Sequence, residues 1–466
     1  MPGLFQGLEI GKRALLGHQV SLQTVGHNIA NVNTPGYTRQ RVRVMSSLPE
    51  LSIHGAIGAG FEVDSIYHVR DLFLGDQYRQ GQKDLGQWTY KSKSLQQIES
   101  IFAEPGGNSI NEVLDQFWND WSALSSDAEN SGNRSSLIAN ATQLIHTFKQ
   151  LATSLEDLQR STDRDLASLT AESNGMTTEI ARLNQQIVNQ ELDGSKANDL
   201  RDMRDRIIDE LSSILDVNVN QRSDGSASVY MGSMLLVDGP DSFAIDANAN
   251  HDGDKVTHAL VWRGSEIELK NVNGKIAGLM ETRDKIIPNY LDDLNTLSRT
   301  IVEEVNRIHM AGYGLDGTTD VAFFNPAFTD AKDLRLNQEI LLDKNKIAAS
   351  DSSNSDDRSN GMVAMQLADM RDALLMSSQT ATINQFYHGM VGDLGVETRE
   401  ANNFTSNYEL ISHQIDNQRQ SVQGVSLDEE MVNLVKAQHA FDAAARIITV
   451  MDEALDTLIT RMGIVG

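Results

Sequence analysis

The stretch LFQGLEIGKRALLGHQVSLQTVGHNIANVNTPGYTRQ, Leu4 to Gln40, sets the architecture. Within it Leu4, Leu8, Gly11, Leu15, His18, Leu22, Val25 and Ile29 recur in alternating steps of four and three, the heptad spacing that lines one side of a helix with an apolar seam. Only Gly11 and His18 interrupt it. At about 1.5 Å per residue the helix is about 39 Å long, and a stripe of that length needs a partner. The helix runs into Asn28-Ile29-Ala30-Asn31-Val32-Asn33-Thr34-Pro35-Gly36-Tyr37. Asn31 or Asn33 is suited to the left-handed conformation that ends a helix, and Pro35-Gly36 fits the central positions of a type II turn. Beyond it Val42 and Val44 alternate with Arg39, Arg41 and Arg43 at strand spacing. A long helix turned sharply into a strand is predicted. The arginines either pair with acidic neighbours or form a solvated strand face.

The far end of the chain offers the partner. Leu434, Ala437, Phe441, Ala444, Ile448, Met451, Leu455, Leu458 and Met462 keep the same steps, behind a helix start at Ser426 with acids from Asp428 to Glu430. The simplest reading is a coiled coil of the two chain ends, whose burial is completed either inside one chain or by other subunits.

Between the ends, Leu137, Ala141, Leu144, Phe148, Leu151, Leu155 and Leu158 hold a helical seam that Leu169, Met176, Ile180, Leu183 and Ile187 continue less regularly. Asp193 and Gly194 mark a turn before a return helix over 200–214, and a further helix covers 287–309. From Asp216 the composition changes to short strands between Gly, Asp and Asn turns. The expected fold is mainly α with a small β domain, an α+β multidomain chain. Residues 1–50 with 422–466 would form a terminal coiled-coil domain, 51–216 with 273–421 a mainly helical middle domain, and 217–272 a small β-rich outer domain.

Composition narrows function. With 65 acidic against 39 basic residues in 466, the net charge of -26 repels phosphate backbones and anionic head groups, so neither nucleic acid nor membrane is an expected partner. The absence of cysteine excludes disulfides and thiolate chemistry. The amino terminus does not read as a signal peptide, and no apolar run is long enough to span a bilayer.

The turn motif resembles the signature shared by bacterial flagellar rod, hook and hook-associated proteins, carried here by Asn28, Asn31, Asn33, Thr34, Pro35, Gly36 and Tyr37. Gly424 to Met431 and Ala445 to Leu458 resemble the same family independently. The Tyr37-Thr38-Arg39-Gln40 continuation, Val305 to Gly317 and Asn360 to Asp372 resemble its hook-associated members more than its rod or hook subunits. The resemblance implies a structural subunit of the flagellar tube at the hook-filament junction, self-assembling, bound to hook protein and hook-associated protein 3, and needed for filament assembly. It also implies export through the flagellar type III apparatus from the cytoplasm to the cell exterior, a cytoplasmic chaperone on the carboxyl-terminal helix, and terminal helices that order on assembly. The expected assembly seam is Leu8, Leu15, Leu22 and Ile29 with Phe441, Ile448, Leu455 and Leu458.

Chemistry-bearing motifs are few. Gly312-Tyr-Gly314-Leu-Asp-Gly317 fits a dinucleotide pattern but follows a helix where that fingerprint needs a strand, so it reads as a loop. Asp246, Asn248, Asn250 and Asp252 offer a calcium loop, yet neither register supplies both the glycine and the closing glutamate. No nucleophile elbow, zinc pair or phosphate loop is present, so no catalytic residue, metal or cofactor is predicted. The abundant carboxylates read as solvated surface. The competing readings are a hook or rod subunit, separated by binding tests, and a secreted enzyme on a flagellar scaffold, which a turnover assay would reveal.

Overall fold

The computed structural model describes residues 2–52, 55–102, 109–252, 255–265, 267–269 and 272–461. Met462, the last position of the carboxyl-terminal heptad run, lies outside them, as do Gly253 and Asp254 beside the candidate calcium stretch. The elements are α1 (Pro2–Ala30), β1 (Gln40–Ser46), β2 (Glu50–Ser52), β3 (Gly55–Ile57), β4 (Phe61–His68), α2 (Leu72–Phe102), α3 (Ile110–Ser126), α4 (Ser131–Gln190), α5 (Asn198–Ile214), β5 (Val217–Gln221), β6 (Ala227–Met231), β7 (Met234–Asp238), β8 (Asp241–Ser242), β9 (Ile245–Asp252), β10 (Lys255–Trp262), α6 (Lys275–Glu281), α7 (Ile287–Met310), α8 (Gln338–Leu342), α9 (Met362–Asp369), α10 (Ile383–Gln423) and α11 (Leu427–Arg461). The chain is mainly helical with small antiparallel sheets, as its sequence pattern predicts.

The 60-residue α4 is the spine. The helix runs without a break through Gly175, and it serves two apolar cores in turn. Leu137, Ala141, Leu144, Phe148, Leu151 and Leu155 belong to the first, with α3, α7, α9 and the amino-terminal half of α10. Leu166, Leu169, Ile180 and Ala181 belong to the second, with α5, α6 and the strands. One core thus runs across residue 216, because the order β5-β6-β7-β8 leaves an apolar sheet face that α4 and α5 cover. Where the cores meet, a π-turn at Thr282–Ile286 aims Arg283 at Asp163 of α4, 2.7 Å away, and Asp163 also accepts from the His258 backbone at 2.8 Å.

In the first core, Trp121 and Phe323 pack against His309, and Phe117 and Phe324 pack against them. Asn306 holds the loop after α7 in place, donating to the Phe324 carbonyl at 3.0 Å and accepting from its N–H at 2.9 Å. His309 donates from Nδ1 to the Val321 carbonyl (2.7 Å) and accepts at Nε2 from Ala348 N–H (2.8 Å). Burial, with the Arg134 charge nearby, pushes its pKa down to about 4 against the opposing Val321 bond. Gly312 to Gly317 is a loop, closed by Gly314 N–H on the Thr318 carbonyl at 2.9 Å.

The candidate calcium stretch is strand β9, paired residue for residue with β10 from Ile245↔Trp262 to Asp252↔Lys255. A pleated strand sends successive side chains to opposite faces, and Asp246 is ion-paired with Arg263 at 2.7 Å. Helices α2 and α10, which periodicity does not announce, run antiparallel, joined by Gln82 to Ser412 at 2.7 Å, Gln96 to Asn402 at 2.9 Å and Trp88 stacked on Phe404 at 4.3 Å. Gly86 lets α2 cross α5: a Cβ there would lie 2.1 Å from the Ser213 carbonyl oxygen.

Candidate assembly site

The two chain ends meet. A Cβ on Gly7 would lie 2.8 Å from Met451, one on Gly11 would lie 3.0 Å from Ile448, and Asn28 bonds to Glu430, so α1 and α11 pack antiparallel along most of α1. The two interruptions of the α1 seam are contact points. Gly11 admits Ile448, and His18 packs edge-on against Phe61 of β4 with ring centres 5.4 Å apart. Leu8, Leu15, Leu22 and Ile29 of α1 are half-buried, as are Phe441, Ile448, Leu455 and Leu458 of α11. Other apolar side chains of the same helices stay exposed: Phe5 and Leu16 on α1, and Val432, Val435, Ile447, Val450 and Ile459 on α11, with Ile459 73% exposed. Neither apolar core includes a residue of α1 or α11.

The turn motif is a polar knot. The Asn28 side chain, 1% exposed, makes four hydrogen bonds: its amide donates to the Gln40 carbonyl (2.9 Å) and Glu430 Oε2 (3.0 Å), and its oxygen accepts from Gln40 N–H (2.9 Å) and the Tyr37 hydroxyl (2.7 Å). One amide therefore ties helix, turn, strand and the start of α11 together, with its full bonding capacity used. Tyr37 N–H closes the turn on the Thr34 carbonyl at 3.2 Å, and Gly36 takes φ +80°, as the third position of a type II turn requires. Burial, then the charges of Asp199, Asp202 and Glu430, hold the Tyr37 hydroxyl well above its ordinary pKa, so it stays a donor.

Neither Asn31 nor Asn33 adopts the left-handed conformation expected of one of them; among the described residues neither has a positive φ. The helix ends through Asn31 instead. Its N–H bonds to the His27 carbonyl at 3.1 Å, its side-chain amide donates to the same carbonyl at 3.0 Å, and it accepts from the Thr34 hydroxyl at 3.1 Å. Asn33, Thr34 and Pro35 are exposed. Arg39 is buried and paired with Glu429 of α11, while Arg43 lies over the Tyr67 ring at 4.9 Å and Arg41 faces solvent.

Sequence reasoning missed the acids that hold this knot to the rest of the chain. Asp199, Asp202, Asp205 and Asp209 form a ladder on α5. Asp199 accepts from Gln40 (2.7 Å) and meets His27 (3.2 Å); Asp202 accepts from Thr38 N–H (2.8 Å) and meets His68 (3.0 Å). Asp205 pairs with Arg70 and Arg204, and Asp209 with Arg79 and Arg419. Burial alone would raise the Asp205 pKa, but the two guanidiniums outweigh it and hold the carboxyl below its usual range. The steps of three, three and four put these acids on one helix face, a signal present in the sequence; their partners other than Arg204, more than a hundred residues away, were not visible. The arrangement is a fastening of paired polar groups, and among the described residues no cluster of three or more acids and histidines is placed to hold a metal.

Comparison with known proteins assigns this arrangement. Residues 95–324 match the helical-domain model of flagellar hook-associated protein FlgK, 8–38 match the flagella basal body rod protein model, and 416–461 match the carboxyl-terminal model of the basal body rod FlgEFG proteins. Flagellar hook-associated protein 1 of Bacillus subtilis is 30% identical with both chains covered completely, and that of Salmonella typhimurium is 25% identical over 95% of this chain and 97% of its own. The solved flagellar hook junction protein FlgK from Burkholderia pseudomallei shares the fold with a TM-score of 0.63 at 14% identity, over 76% of this chain and all of that one. The full-length identity to a relative, with terminal matches at the helices that form the seam, shows that this chain belongs to the flagellar hook-associated protein 1 family, structural proteins of the bacterial flagellum and not enzymes.

Proposed function

We propose that this chain is the structural subunit joining hook to filament. Residues 1–50 with 422–466 build the inner tube, and the helical and strand-bearing regions surround it. The observation that carries this reading is the pairing of α1 with α11 along half-buried seams while Phe5, Leu16, Val435, Val450 and Ile459 remain exposed on the same two helices. One chain leaves apolar surface that neighbouring copies would bury, which favours self-assembly. Hook protein below and hook-associated protein 3 above are the proposed neighbours. Export unfolded through the flagellar type III apparatus, with a cytoplasmic chaperone shielding α11, would keep that surface from associating early.

Electron microscopy of cells lacking the gene, with flagellin in the medium assayed alongside, tests the junction role. Hooks without filaments and flagellin lost to the medium are expected. Cells without hooks would move the chain to a rod or hook position, and normal filaments would overturn the proposal. Leu455→Asp places an unpaired charge in the seam and is expected to abolish swimming while the two cores stay folded.

A further inference from the structure

Methionine is an apolar side chain whose character can be reversed after synthesis, because a peroxide converts its thioether to a polar sulfoxide. What that does depends on where the side chain sits. Met231, Met370, Met376 and Met390 are buried in cores that include no residue of α1 or α11. Met203, Met362 and Met365 are exposed, so an added oxygen there meets water. The methionines of α1 and α11 are Met431, which is exposed, and Met451, which is half-buried in the contact between the two helices.

Met451 occupies a notch. On α1, Gly7 and Gly11 stand about one helical turn apart, and α11 crosses them so closely that Met451 fills the space beside the first and Ile448 that beside the second. A Cβ on Gly7 would lie 2.8 Å from Met451 Cε, 3.1 Å from Sδ and 3.6 Å from Cγ, so the thioether lies along bare backbone where even an alanine would crowd it. About one turn away on α11 are Ile448 and Leu455, whose side chains offer no hydrogen-bond donor. Oxidation adds an acceptor oxygen to an atom that lines the notch. Closing the helices would then bury that oxygen among apolar groups, and holding them apart to wet it gives up the seam. Neither core contains a residue of α11, so the thioether is shielded only by the pairing itself.

We propose that Met451 is an oxidation-sensitive site that decides whether a subunit is fit to assemble. Before α11 pairs, a peroxide transfers one oxygen atom to Sδ: sulfur gives an electron pair to the new S–O bond, the O–O bond breaks, and hydrogen peroxide leaves as water. Sulfur loses the two electrons that the peroxide gains. The sulfoxide form does not close α11 onto α1 and is turned away from the growing tube, whereas the reduced form, once paired, is out of the oxidant's reach. The site has this effect because the α1–α11 seam is the surface proposed for assembly, and it rests on that reading.

Purified full-length protein, treated with dilute hydrogen peroxide until Met451 is partly oxidised, is offered to cells that lack the gene, and bound and unbound chains are compared by peptide mass. Sulfoxide at Met451 is expected at least ~5-fold less often in the bound chains than in the unbound, while sulfoxide at Met203 and Met362 is divided evenly. Met451→Leu, which keeps the volume without the sulfur, should bind equally well before and after peroxide. Met431→Leu should bind as the native chain does and keep its sensitivity. Equal frequency of Met451 sulfoxide in the two pools would overturn the proposal and leave the junction reading standing, as would a full loss of binding in peroxide-treated Met451→Leu. Failure of the untreated native chain to bind would count against the junction reading itself, and the proposal would fall with it.

Discussion

Acidification should unfold the helical body through one imidazole. Unfolded, His309 titrates near the ordinary 6.5; folded, burial holds it at about 4. Between those values the unfolded chain binds the proton and the folded chain does not, so stability rises with pH. The contribution is fully present above about 6.5, falls by about 1.4 kcal/mol per pH unit on acidification, and about 3 kcal/mol is gone at about 4. The structural reason is that Nε2 already accepts from Ala348 N–H, so a second proton would face a donor with no acceptor in reach of it. Urea unfolding followed by tryptophan fluorescence suits the measurement, because the Trp121 ring lies 6.1 Å from the imidazole. The slope of stability against pH between about 5 and 6 should be shallower in His309→Gln than in the native chain by about 1 kcal/mol per unit. Carboxylates such as Glu191, held down to about 2 against the cost of burial by Arg201, the Ala197 N–H and Lys196, contribute at lower pH and equally in both proteins. Equal slopes for the two proteins would refute the reasoning.

Asn28→Ala strands the Glu430 carboxylate, Tyr37 hydroxyl and Gln40 backbone, and should cost the terminal module about 3–5 kcal/mol, read as amide-exchange protection lost in β1 and the end of α1 but kept in both cores. Gly86→Ala, which would favour an isolated helix, should instead lower thermal stability by about 1–3 kcal/mol as α2 and α5 are forced apart. Ser377, Ser378 and Gln379 take φ of 50°, 57° and 66° in succession. Gln379→Gly should relieve part of that strain and stabilise the chain by about 0.5–1 kcal/mol in a denaturant titration.

The seam of α1, the long α4 and the return helix α5 were legible because apolar side chains recur at helical spacing along much of each, and that periodicity reports burial directly. Helices α2 and α10 were not. Gly75, Gly81 and Gly86 dilute the pattern of one, Gly389, Gly392 and Gly395 that of the other, and the two helices meet partly through polar contacts such as Ser92 with Asn402. Strand β9 showed in the sequence only as an imperfect ion-binding loop, because alternating acids and amides look alike on a pleat and in a chelating turn until the partner strand is placed. At the assembly site the turn was read correctly at Gly36, whereas Asn31 proved to cap the helix by its side chain with no unusual backbone, a choice that composition does not distinguish. The α5 aspartates were read as solvated surface: a row of acids declares itself a fastening only when the groups it fastens are known.

The antiparallel pairing of α1 with α11 also dictates a timetable. A chain that emerges end-first, from a ribosome or from a narrow channel, presents α1 at once, but the helix that covers its seam arrives some four hundred residues later. The two cores need nothing from α11 and can form meanwhile, bringing β4 and the end of α10 toward each other and shortening the loop that remains to be closed. The terminal module is therefore the last part of the molecule to be completed, and the apolar surface it exposes is finished only when delivery of the chain is over.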